Sequence, residues 1–187
     1  TVVYSNATSA TVGATIYKNL TLGAGTSGTF TLPAADVTVR GDMVVATGAT
    51  VTKSASNKII FAKGAGGTQT LTGNAINSDL GIVQVSANSG VTTLSTSSNV
   101  KLTSLTVDAS QNLNIAGDTL TITGNGTPFV LAGTNTFTTT TSTVDYASAS
   151  SPTIANTTYN NLTISGTISA VSETATVGGL LTVGGTF

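Results

Sequence analysis

Seven carboxylates, at Asp36, Asp42, Asp79, Asp108, Asp118, Asp145 and Glu173, face six lysines and arginines in a chain without histidine or cysteine. Hydrolysis of a glycosidic bond needs two carboxylates held close together, and a nucleophilic triad needs a base such as histidine. One Glu, one Arg and no His leave only dispersed Asp and Lys for such work. The acids also lack the dense alternation of a calcium loop, and only the spacing of Asp108 and Asp118 suggests an approach on adjacent turns. Gly-rich pieces such as Gly64–Gly67 are not followed by the Lys-Ser/Thr of a phosphate loop. The sequence therefore predicts no enzyme, no catalytic residue, no metal site and no cofactor.

Two short motifs invite a binding role. Arg40-Gly41-Asp42 is a tripeptide that cell-surface receptors read on exposed turns, but three residues match easily by chance. Five glycosylation sequons begin at Asn6, Asn19, Asn125, Asn156 and Asn161, the number that a chain so rich in Asn, Ser and Thr produces by accident. Asn19 and Asn161 open equivalent strands, where an Asn is expected to cap or ladder with its neighbours.

The elements that would position these residues are short strands. Charged residues make up 7% of the 187 positions, against about 25% in ordinary globular chains. Mean hydropathy is +0.31 and the apolar residues come in regular pulses, so the chain is expected to fold. Asn19–Leu22, Asp36–Val39, Ile82–Val85, Asn112–Ile115 and Thr119–Thr123 place apolar residues at every second position, the mark of a strand with one buried face. Gly- and Asn-rich turns separate them. A net charge of −1 with singly scattered cations provides no basic stripe, so nucleic acid is not an expected partner. No apolar run approaches the roughly 18 residues that span a bilayer, and no membrane insertion is expected. The absence of Cys rules out a disulfide framework, and the scarcity of oxidisable groups suits a durable exterior protein.

A long-range repeat chooses the architecture. Residues 1–22 align without a gap on residues 143–164, and Tyr4 and Tyr17 fall on Tyr146 and Tyr159 at one offset of 142 (146 − 4 and 159 − 17). Thr38–Val45 then aligns on Thr176–Val183 at 138 (176 − 38), so the second copy has a turn shorter by four residues. The repeat thus joins 1–45 with 143–183. A closed sandwich has no reason to restart its opening sequence, whereas stacked coils do. The expected fold is all-β: a parallel β-helix, or β-solenoid, with about three short strands per coil, running continuously over 1–187 in roughly eight coils. The repeat that breaks off at Phe187 suggests a portion of a longer array.

The Tyr-bearing blocks, with "YNNLTISG" from Tyr159 to Gly166 and "TVGGLLTV" from Thr176 to Val183, resemble the β-strand-repeat regions of large bacterial surface and secreted proteins of adhesin-like or filament-forming type. That resemblance implies an extracellular or cell-surface rod, with further repeats or a second copy as partner, and cell-surface glycans as a second class of partner. An alternative is a Thr-rich face for ice or polysaccharide. The segments beginning at Thr68, Thr119 and Thr134 would supply it, but their unequal spacings (51 and 15) argue against one ladder if a ladder requires a constant period.

Overall fold

The structure, a computed structural model, describes residues 1–5, 8–25, 27–53, 56–74, 78–115, 117–167 and 174–185. Among these no helix occurs, and parallel strands stack as a β-solenoid of about eight turns. The first three coils each hold three strands: β1 (Val2–Tyr4), β2 (Ser9–Thr11) and β3 (Ile16–Tyr17); β4 (Leu20–Leu22), β5 (Thr29–Thr31) and β6 (Val37–Val39); β7 (Met43–Val45), β8 (Thr50–Thr52) and β9 (Lys58–Phe61). The middle coils hold β10 (Gly67–Thr72) and β11 (Ile82–Val85), then β12 (Thr92–Thr96), β13 (Val100–Leu102) and β14 (Ser104–Val107), then β15 (Asn112–Asn114), β16 (Thr119–Ile122) and β17 (Phe129–Leu131). The last coils hold β18 (Thr136–Thr138), β19 (Thr143–Tyr146), β20 (Thr158–Tyr159), β21 (Asn161–Ile164), β22 (Thr176–Val177) and β23 (Leu181–Val183).

Each strand pairs with the strand one coil away. One side of the prism is the seven-stranded sheet β1-β4-β7-β10-β12-β15-β18, and another is the six-stranded sheet β3-β6-β9-β11-β14-β17. The third side begins as β2-β5-β8, is carried through the fourth coil by a bridge from Asp79 to Lys101, and continues as β13-β16-β19-β21-β23. Alternation in the sequence becomes inward and outward here. Val37, Ile59, Val83, Leu105 and Phe129 form one inward column in direct register, each nearly inaccessible. Burial of each such side chain contributes about 1.5–3 kcal/mol before the entropy of ordering is subtracted.

Coil length is not constant. Register partners lie 18 residues apart at Val2 and Leu20 (20 − 2) but 28 apart at Met43 and Leu71 (71 − 43). Strands hold the ladder while turns absorb the difference, because a loop on the surface takes up extra residues at little cost.

The two repeat copies do not sit on the same side of the prism. β1, β4 and β7 open the seven-stranded sheet, whereas their counterparts β19, β21 and β23 close the five-stranded one. From β1 the seven-stranded sheet makes six steps to β18, and β19 lies one side further along the same coil. The block therefore recurs after six coils and one side, turned about the axis by one face. The four-residue deletion is visible as register: Leu20 pairs with Met43, 23 residues on, but Leu162 with Leu181, 19 on (43 − 20 and 181 − 162).

Candidate functional site

The four tyrosines form two identical clasps inside the solenoid. Tyr4 and Tyr17 enter the interior from two sides, and their hydroxyls meet at 3.0 Å; the backbone N–H of Gly13 donates to the Tyr4 oxygen, and the Tyr17 hydroxyl donates to the Gly13 carbonyl. In the second copy Tyr146 and Tyr159 meet at 3.0 Å, and Ala155, which is Gly13 moved by 142 (155 − 13), takes both backbone roles. A buried phenol needs a partner for its polar tip, and here each hydroxyl finds one in the other and in one peptide group. Burial, then the neighbouring Tyr4 hydroxyl, pushes Tyr17 up to about 12. Tyr159 is raised further, by deeper burial and then by Tyr146, and Tyr146 is raised by burial against the bonds it makes with Ala155 and Tyr159. These phenols stay neutral and act as struts.

Arg40-Gly41-Asp42 is a corner, not a projecting loop. It is the whole connection between β6 and β7, and each member is tied to an adjacent coil or turned along the rod. The Arg40 N–H donates to the Tyr17 carbonyl, the Asp42 N–H to Asn19 Oδ1, and the buried Gln69 amide donates to the Gly41 carbonyl from the following coil. A Cβ on Gly41 would run into the Lys18 carbonyl and the Asn19 side chain. Gly178-Gly179-Leu180 repeats the arrangement: Gly178 N–H to the Tyr159 carbonyl, Leu180 N–H to Asn161 Oδ1, and no room for a Cβ on Gly179. The expectation that the coil has no need of this motif holds for Arg40 and Asp42 but not for the central glycine, which both copies require.

Asn19 and Asn161 ladder as expected, and the same device appears where sequence reading did not single it out. Asp36 Oδ1 accepts the N–H of Lys58, Asp42 Oδ1 that of Thr70, Asn99 Oδ1 that of Thr119 and Asn112 Oδ1 that of Thr136, each from the next coil at 2.8–3.0 Å. The signal is an Asn or Asp immediately before an inward apolar residue. Of the sequons, Asn6 lies outside the described residues, and Asn125 is exposed on the turn before β17.

The acids are kept apart. Asp108 accepts from the Gln84 amide at 2.8 and 3.0 Å, while Asp118 accepts from the Thr96 hydroxyl at 2.6 Å, so the two are held by different strands rather than brought together. Asp145 accepts from the Ser165 hydroxyl at 2.7 Å. Glu173 lies outside the described residues, and no group of three potential metal-ligating acids forms among those described. Asp79 is the most engaged: Lys53 Nζ lies 2.7 Å from it, the Thr123 hydroxyl 2.7 Å, and the Gly81 N–H donates to it at 2.8 Å. Burial alone would raise its pKa, but these donors prevail and hold it below the usual carboxylate value. It links the third, fourth and sixth coils.

Threonine columns form without a constant period. Thr68 pairs with Thr93, Thr93 with Asn112 and Asn112 with Thr136, so segments of unequal spacing share one outward column. The expectation that unequal spacing excludes a ladder is therefore corrected: turns of variable length restore the register. Thr119 belongs to another side, on β16. The cleanest array is on β2, β5 and β8, where Ser9, Thr29 and Thr50 form one column and Thr11, Thr31 and Thr52 a second.

At the two ends of the described solenoid the inward columns lie open. Val2 is 42% exposed although its register partner Leu20 is fully covered, and Leu181 is 53% exposed above Leu162 at 3%. No helix among the described residues is long and apolar enough to cross a membrane. Comparison with protein-family models, with curated proteins and with solved structures finds no match to this chain.

Proposed function

We propose that this chain is a non-enzymatic structural and adhesive segment of an extracellular or cell-surface fibre or stalk, acting through coil stacking and self-association. The observation that carries the reading is the open inward column at each end. An apolar residue with the same inward direction as a buried neighbour gains its burial only when another coil is laid on it, from a second copy or from further repeats. The resemblance of the Tyr-bearing blocks to adhesin-like and filament-forming repeat regions supports the location. Sedimentation velocity across a concentration series tests it: the expected result is elongation with concentration, reduced by Leu181→Lys, and a species that stays monomeric at every concentration would count against self-association.

A second reading has one specific observation in its favour, the paired Ser/Thr columns of β2, β5 and β8. Outward hydroxyls on stiff β-branched side chains, repeating every 4.7–4.9 Å along the rod, suit a partner that is itself periodic, ice or a crystalline polysaccharide. Partition of the chain into slowly grown ice, compared with Thr31→Lys, distinguishes this reading from the first.

A further inference from the structure

One corner of the prism is cut deeper than the others. In the fourth and fifth coils the chain turns it with single residues, Gly81 before β11 and Thr103 between β13 and β14, whereas the sixth coil uses six residues, 123–128, between β16 and β17. The longer turn overhangs the tight ones on one side, and Lys53 of the third coil lies along the other, its stem packed over Gly81. Between them is a cleft of about 420 Å³ with Ile82, Thr103 and Ser104 on its floor and Asn125, Thr127 and Pro128 on its wall. Its volume falls within the roughly 300–1,000 Å³ of small-molecule pockets.

We propose that this cleft binds a short neutral glycan segment. The inference rests on the adhesive reading above and gives that reading a site. Three observations narrow the ligand. The backbone at the floor is already spent in stacking, with the Thr103 N–H on the Gly81 carbonyl and the Gly124 N–H on the Thr103 carbonyl, so an added peptide strand finds no free edge there. Lys53 is neutralised by Asp79 at 2.7 Å, so the cleft has no net charge with which to draw an anion. What faces the ligand is a set of hydroxyls and one amide, the Asn125 side chain standing exposed above Thr103 and Ser104, beside the apolar surface of Ile82 and Pro128. Groups that both donate and accept, next to a small apolar patch, match a sugar ring with its equatorial hydroxyls and its C–H face. Asp79, which holds Lys53, Thr123 and Gly81 together, keeps the cleft in shape before a ligand arrives.

The test is a ¹⁵N-NMR titration of the whole chain with cellopentaose, mannopentaose and a galactan pentaose, at concentrations where sedimentation shows no association. The expected result is saturable shifts at Ile82, Thr103, Ser104 and Asn125 with one of the three. Asn125→Ala, an exposed position, should weaken binding about fivefold, the effect of one hydrogen bond, and Thr127→Trp should abolish it by filling the cleft. Both variants should elongate like the parent, so failure here is separable from failure of the rod reading. No saturable shift with any of the three, shifts confined to the β2-β5-β8 side, or tighter binding of an oligouronate than of neutral sugars would each overturn the proposal.

Discussion

The two tyrosine blocks carry half of their residues in common and the same four hydrogen-bonding roles, yet they differ in burial. Tyr146 and Tyr159 are fully covered, while Tyr17 is 3% exposed and Tyr4 only half-buried. The difference comes from outside the block. Tyr146 has β16 below it, with Ile122 as register partner, and β21 above it, with Ile164, whereas Tyr4 has a partner, Leu22, on one side only. A solenoid coil thus supplies its own clasp but borrows its burial from neighbours, which is the physical content of stability that adds along an axis.

The largest expected effect separates the blocks directly. Tyr146→Ala should cost about 3–5 kcal/mol by leaving a cavity in a covered coil, and Tyr4→Ala clearly less, because its site is already partly open to water. Equilibrium unfolding in urea measures both, and equal losses would break the comparison. A smaller effect should be shared by the copies. Gly41→Ala and Gly179→Ala each force a Cβ into the carbonyl and Asn side chain of the preceding coil, at an expected cost of about 1–3 kcal/mol each. A neutral Gly41→Ala would show that this corner relaxes, and that the blocks differ here as well.

The smallest effect vanishes at neutral pH. Tyr17 is raised from 10.0 to about 12 in the folded state, so the folded chain holds this proton more tightly than the unfolded one. Its contribution to stability is therefore complete below pH 10 and is lost as pH rises from 10 through about 12. Tyr159, raised further, should ionise only as its coil opens. Spectrophotometric titration should accordingly give tyrosinate in two stages, with Tyr159→Phe removing signal from the later one. A single stage with all tyrosines together would mean that the clasps open as one unit.

Much of the fold is legible in the residues. Alternation at Ile82–Val85 or Asn112–Asn114 can be satisfied only by strands with one buried face, and a block that restarts after 142 residues is satisfied by stacked coils. The clasps were visible as paired tyrosines but not as contacts, since Tyr4 and Tyr17 meet only because two sides of one coil converge. The acceptor role of Asp36, Asn99 and Asn112 was similarly hidden, because the N–H that each side chain receives comes from about 20 to 24 residues further on. Spacing misled in one place. Thr68 and Thr136 share a column although no fixed period joins them, because turns rather than strands take up the unequal lengths.

By itself the sequence determined the class of structure, through side-chain periodicity, the glycine corners and the absence of the groups that acid–base or nucleophilic chemistry requires. Only the tertiary structure decided that the second copy is turned by one face, that Arg40-Gly41-Asp42 is a corner clamped by its neighbours, and that Lys53, Asp79, Thr103 and Thr123 meet around one cleft. The reason is geometric: pairing between coils is set by the summed length of every turn between them, a quantity that no local pattern encodes.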